Sequence, residues 1–328
     1  MNRIEITPWH WISFILFVLA CIALDLGVFQ RRAHAIKFGE AFVRTALWFG
    51  LAMLFAAGMA HWRGREDAEA FTTGYLIEVS LSLDNLLVIA LIFEALQVPA
   101  ALQHRVLVWG ILGALVMRGV MIAAGAALVQ RFDWVLYAFG AFLIFAGVKM
   151  LFDRKEMMQP EKNPVLRLAR KTFPVTQNFE GQNFFSRLDG RFALTPLALV
   201  LLLVETSDLI FAVDSVPAVF SVTRQAFIVF TSNVFAILGL RSLYFLLAGA
   251  LGYFRYLKFG LSLVLVVIGL KMLLEPHGPK TKWFQVEIPT GVSLMTVAAI
   301  LISAIVLSVM VAEREKRTGA GQPPNRKP

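Results

Sequence analysis

The sequence predicts an all-α, polytopic membrane protein, and three observations carry that prediction. Of 328 residues, 58% are hydrophobic, and the mean hydropathy of +0.70 lies well above that of a soluble domain of this length. Several apolar runs exceed the roughly 20 residues needed to cross a bilayer. The Lys and Arg residues gather in alternate loops, as membrane orientation produces.

Nine candidate spans follow, at residues 9–29, 39–60, 72–96, 105–129, 133–152, 194–221, 225–248, 256–274 and 289–311. The first loop carries Arg31, Arg32 and Lys37. The long loop between the fifth and sixth spans carries Arg154, Lys155, Lys162, Arg167, Arg170, Lys171, Arg187 and Arg191. Arg255 precedes the eighth span, and the tail holds Arg314, Lys316, Arg317, Arg326 and Lys327. An odd count of nine puts all of these on one side, which predicts an external N-terminus and a cytoplasmic C-terminus in the cell inner membrane. The net charge of +9 therefore belongs to membrane orientation, and nucleic acid is not an expected partner. The one cysteine, Cys21, lies in the first span, which excludes a disulfide framework within the chain. That span lacks the basic start and cleavage site of a removable signal and is expected to stay. The 28 phenylalanines read as lipid-facing packing.

The membrane domain is expected over residues 1–312, with a disordered cytoplasmic tail over 313–328, rich in Gly, Pro and charge. Within the 153–193 cytoplasmic loop, Asp189-Gly190 signals a short β-hairpin between Phe184–Leu188 and Arg191–Leu194. The preceding Val165–Lys171 segment predicts a basic amphipathic turn or two on the membrane surface.

An internal repeat is also legible. Gly147-Val148-Lys149-Met150-Leu151 recurs as Gly269-Leu270-Lys271-Met272-Leu273, and Leu115-Val116-Met117-Arg118 is echoed by Leu238-Gly239-Leu240-Arg241. Glu78 and Asp84-Asn85 stand at the same spacing as Asp208 and Asp214-Ser215. Spans three to five thus match spans six to eight. Three is odd, so the second copy enters from the opposite side, an inverted 3+3 repeat of the kind that secondary transporters use.

Spans three and six hold the most informative residues. A carboxylate in lipid costs several kcal/mol even on lenient scales, so such acids persist where they pair, bind a cation or relay protons. Glu78, Asp84, Glu205, Asp208 and Asp214 are five such acids, and Asn85 and Ser215 add neutral oxygens. Hard cations such as Mn²⁺, Mg²⁺ and Ca²⁺ favour that donor set, whereas softer metals favour His and Cys. Asp25 in span one, Ser215, and Asn233 in span seven are expected as proton or secondary positions. Arg118, Arg241 and Pro217 are expected as structural or gating residues. On a straight helix, residues six apart lie about 120° round from each other. Glu78 with Asp84, and Asp208 with Asp214, therefore share a site only if a helix is broken. Pro217 predicts such a break, freeing the carbonyl of Val213 beside Asp214.

The strings Ala23-Leu24-Asp25-Leu26-Gly27-Val28-Phe29, Ser80-Leu81-Ser82-Leu83-Asp84-Asn85-Leu86, Val108-Trp109-Gly110-Ile111-Leu112-Gly113-Ala114, Leu203–Ser215 and Thr231–Tyr244 resemble the TerC family, associated with tellurium resistance and, for several members, with manganese export. The resemblance covers about residues 20–275. It implies a nine-span divalent-cation exporter related to inverted-repeat, lysine-exporter-like transporters. It also implies a metal-site role for Glu78, Asp84, Glu205, Asp208 and Asp214, all of which match the family pattern.

The leading expectation is a secondary transporter that exports a divalent cation, Mn²⁺ first among them, through carboxylates on spans three and six. The cation is cargo, and no permanently bound cofactor is expected. The alternative is a membrane scaffold or metal-delivery partner in tellurite or stress resistance, without transport of its own. Anion export through Arg118 and Arg241 is disfavoured because the five acids would repel an anion. No nucleophile–base set or cofactor motif points to an enzyme. The sequence leaves the oligomeric state open.

Overall fold

A computed structural model describes residues 5–28, 38–152, 163–188, 190–248, 257–277 and 285–317. The described residues form ten helices and one hairpin: α1 (Pro8–Val28), α2 (Phe38–Trp62), α3 (Arg65–Ala95), α4 (Ala100–Arg131), α5 (Trp134–Phe152), α6 (Pro164–Thr172), β1 (Phe185–Leu188), β2 (Arg191–Leu194), α7 (Pro196–Phe220), α8 (Ala226–Ala248), α9 (Leu257–Leu274) and α10 (Thr290–Arg317). Seven of them, α2–α5, α7, α8 and α10, are long and apolar enough to cross a membrane. The chain is thus a polytopic helical membrane protein. Helices α1 and α9 coincide with the two remaining apolar runs.

Local chemistry sets the helix limits. Gly64 precedes α3 at φ +103°, a conformation open to glycine, and Glu66 and Asp67 follow in the first turn, where the helix dipole favours acids. Helix α6 begins with Asn163 accepting from the backbone N–H groups of Val165 and Leu166, with Pro164 behind it. Thr195 caps α7 in the same way, followed by Pro196. The tail departs from expectation, because α10 continues past residue 312 to Arg317. Ala312-Glu313-Arg314-Glu315-Lys316 is a run of strong helix formers. The expected disorder beyond 317 falls outside the described residues.

Helix α7 corrects a second expectation. It is continuous through Pro217, so the break predicted beside Asp214 is absent. Pro217 stands in the last turn of α7, where Ser221 N–H already bonds back to Pro217 O at 3.1 Å. A proline so close to a helix end forfeits one backbone bond without redirecting a following stretch of helix.

Packing follows a crossed pattern. Helix α5 lies on α9, α3 on α8 and α7, and α4 on α7 and α8, while α2 covers α8 and α10 covers α3 and α9. At the α5–α9 crossing, a Cβ on Gly269 would stand 2.6 Å from Gly140 O, and one on Gly147 2.8 Å from Ser262 O. Ser262 Oγ donates to Gly147 O across the same seam. Small residues that let backbones meet are the usual basis of helix association in lipid. The phenylalanines are in part an internal device rather than lipid-facing filler. Phe14, Phe55, Phe71 and Phe235, all but Phe55 fully buried, join α1, α2, α3 and α8 with ring centroids 5.0–5.9 Å apart.

The turns sort into two ends. Gln225 at the start of α8 bonds Asp67 at the start of α3, and Arg224 bonds Asp133 between α4 and α5 at 2.9 Å and the carbonyl of His277 after α9. His10 stacks on Trp62 at 4.6 Å, bringing the start of α1 to the same end. At the other end, Phe184 ahead of β1 packs on Trp109 and under Arg105, both in the first third of α4.

Candidate functional site

Glu78 comes from α3, Arg118 from α4, Asp208 and Ser215 from α7, and Asn233 from α8. All five are buried, with Glu78 and Asn233 completely so. Arg118 grips Asp208 as a fork: Nη2 donates to Oδ1 at 3.0 Å and Nε to Oδ2 at 3.3 Å. Its Nη1 pairs with Glu78 Oε1 and donates to Asn233 Oδ1 at 3.1 Å and Ser215 Oγ at 3.4 Å. Asn233 Nδ2 completes the ring, donating to Glu78 Oε2 at 2.9 Å. One guanidinium therefore serves two carboxylates from two helices, and the cluster carries a formal charge of −1.

Helical periodicity explains which residues meet. Glu78 and Asn85 are seven apart, as are Asp208 and Ser215. Seven residues is close to two full turns, so each pair shares a face, and both faces turn inward. Ser82 lies between Glu78 and Asn85 on the same face, and its fully buried hydroxyl has no hydrogen-bond partner among the described residues. Asp84 and Asp214 each precede a face residue by one position, hence about 100° round the helix, and both are only half-buried.

The expected donor set therefore divides. Glu78 and Asp208 converge, and Asn85 lies on the converging face. Asp84 and Asp214 stand off those faces by their helical positions, the latter within electrostatic reach of Lys149. Glu205 is half-buried beside Asp208, whose charge acts on it. It rests on bare α4 backbone, since a Cβ on Gly113 would overlap its carboxylate. Among the described residues, no three His, Cys, Asp or Glu side chains are gathered closely enough to hold a metal ion. Of the secondary candidates, Ser215 and Asn233 belong to the cluster. Asp25 falls at the end of α1, where side chains lie outside the described part. Arg241 is buried on α8 apart from the Arg118 ring and acts on His104. Lys271 is buried and pairs with Glu275 at 3.3 Å, whose carboxyl burial pushes above its usual range.

Gly113 is the residue that sequence reasoning missed as part of the site. Its signal in the sequence was membership of the Val108–Ala114 string, and no spacing rule connects it with Glu205 on a distant helix.

Comparison with known proteins settles the family. The profile of the integral membrane protein TerC family matches residues 63–316. The chain belongs to the TerC family. It is 50% identical over 317 residues to "Uncharacterized membrane protein STKORF319" of Myxococcus xanthus, covering 97% of each chain. It is 44% identical over 330 residues to "Putative membrane-bound redox modulator Alx" of Escherichia coli K12, covering 98% of this chain and 100% of that one. A further relative, an "Uncharacterized membrane protein" of Rickettsia felis, is 35% identical over 300 residues, covering 92% and 97%. No solved structure matches.

Proposed function

We propose that this TerC protein is a secondary transporter of the inner membrane that exports a divalent cation, Mn²⁺ foremost. The observation that carries the reading is the convergence of Glu78 and Asp208, completely or almost completely buried acids from two membrane-length helices, on a single basic group. Two buried carboxylates that share one cation retain a negative charge, and in low dielectric that charge attracts a second cation strongly. Without Arg118 between them, Glu78, Asp208, Asn233, Ser215 and the unpartnered Ser82 hydroxyl would offer hard oxygen donors suited to Mn²⁺ or Mg²⁺. Arg118 is then the internal counter-ion of the cation-free state, and cargo competes with it for the same oxygens. Asp84, Glu205 and Asp214 line the approach.

The proposed architecture is nine spans with the N-terminus outside, α1 and α9 included. The glycine seam supports an inverted repeat. The register that sets Gly147 on Gly269 also sets Gly140 on Ser262, so the Gly140–Gly269 and Gly147–Ser262 approaches are images of each other. They run antiparallel, as inversion requires. A redox role of the kind named for relatives would act without an internal disulfide, since Cys21 is the only cysteine.

Purified protein in vesicles, with Mn²⁺ flux measured with and without a pH gradient, tests the reading. Wild-type protein should carry Mn²⁺, and Glu78→Gln, Asp208→Asn and Asp214→Asn should each reduce the flux at least tenfold. Normal flux in all three variants would sink the proposed site, while a wild-type protein without flux for any divalent ion would favour the scaffold or metal-delivery role.

A further inference from the structure

The segment between α5 and α7 has a feature that neither transport nor helix packing uses. On α6, Arg167, Arg170 and Lys171 occupy one side, and Val165, Leu166, Leu168 and Ala169 occupy the other, as 100° per residue dictates. Only Leu166 of that apolar side is buried against the protein, at 1% exposure; Leu168 is 64% exposed. The hairpin continues the surface. Arg187 pairs directly with Phe192, so a cation and a ring share a face with Phe185. Phe192 packs on Phe185 at 5.2 Å and meets Phe173 edge-on at 5.8 Å, and all three rings are exposed. Five exposed basic residues (Arg167, Arg170, Lys171, Arg187, Arg191) stand against one described acid, Glu180, which is held by Ser186.

Position decides what covers this surface. Strand β2 ends at Leu194, Thr195 caps α7, and the membrane-length helix begins at Pro196. No linker intervenes, so the hairpin stands at the boundary between bilayer and water. Leu166 fixes α6 at that level, and Phe184 fixes the start of the hairpin against Trp109 and Arg105 of α4. Apolar rings beside a row of cations at that height match the acyl boundary and phosphate layer of an anionic leaflet.

We propose that α6 and the β1–β2 hairpin form an interfacial foot that inserts Leu168, Phe173, Phe185 and Phe192 into the bilayer surface and binds anionic phospholipid headgroups through Arg167, Arg170, Lys171, Arg187 and Arg191. The foot is independent of the cargo.

The test uses the full chain with Cys21→Ser, carrying a nitroxide label at Leu168→Cys, Phe185→Cys or, as a water-exposed reference, Gln177→Cys. The protein is placed in nanodiscs of phosphatidylcholine alone or with phosphatidylglycerol. Labels at 168 and 185 should collide with oxygen several-fold more, and with a water-soluble nickel chelate several-fold less, than the label at 177. Phosphatidylglycerol should increase the difference, and replacing the five basic residues by Gln should abolish that increase. Labels at 168 and 185 that are open to nickel overturn the proposal, as do labels shielded from both reagents, which would mean a protein partner or a second copy. Equal depth in the two lipids overturns the headgroup assignment.

Discussion

Arg118 is the residue on which the interior depends. A buried arginine with one carboxylate is a common structural pair; one shared between Glu78 and Asp208 while also donating to Asn233 and Ser215 ties four helices to a single charge. Removing one partner from a buried ion pair costs about 3–5 kcal/mol, because the remaining charge is stranded. Arg118→Met should therefore lower the thermal unfolding temperature in detergent sharply. The triple variant Arg118→Met, Glu78→Gln, Asp208→Asn, which leaves no charge to strand, should recover most of the loss. If Arg118→Met alone unfolds where the wild type does, the three charges do not compensate one another. The acids of this ring were legible in the sequence, since charges stand out within apolar runs. Arg118, Ser215 and Asn233 stood out as well, but which of them meets which acid did not, because the one-dimensional pattern fixes the face on which a residue lies but not the helix that the face meets. Seven-residue spacing turned out to matter more than the conspicuous six-residue spacing of the acids.

At the scale of elements, hydropathy located the nine long helices, although α3 begins at Arg65, ahead of the expected 72, and α10 runs on to Arg317, beyond the expected 311; turn chemistry located the hairpin around Gly190, whose φ of +79° explains the glycine there. Pro217 misled because proline marks the loss of one hydrogen bond, and only the position within the helix decides whether that loss bends anything. The repeated Gly-Val-Lys-Met-Leu and Gly-Leu-Lys-Met-Leu strings signal duplication, but their glycines also have a mechanical role. A Cβ on Gly269 would come within 2.6 Å of Gly140 O and 2.8 Å of Ile144 Cγ1, so α5 and α9 would have to separate. Gly269→Ala is expected to cost about 1–3 kcal/mol, the usual range for overpacking. Gly58→Ala on α2, where nothing lies within 4 Å, should leave the unfolding temperature unchanged or raise it. Equal behaviour of the two variants would mean that the seam is not close-packed in solution.

Across the whole molecule, two separate lines lead to the same alternation of helices. In the proposed orientation, loop charge puts the basic 163–194 segment on the cytoplasmic side. The packing independently gathers Asp67, Asp133, Arg224, Gln225 and His277 at one end and joins that basic segment to the start of α4 at the other. Neither line uses the other's information, so their agreement constrains the topology more than either alone. Single cysteines introduced in a Cys21→Ser background test it directly. In intact cells, a membrane-impermeant maleimide should label Asp133→Cys and Thr223→Cys and spare Gln177→Cys; after lysis it should label all three. Labelling of Gln177→Cys alone in intact cells would reverse the orientation and leave the fold standing. Labelling of Gln177→Cys together with Asp133→Cys would put both ends on one side of the membrane. That result would be incompatible with α4 crossing the bilayer, and the cluster around Arg118 could then no longer lie at its centre.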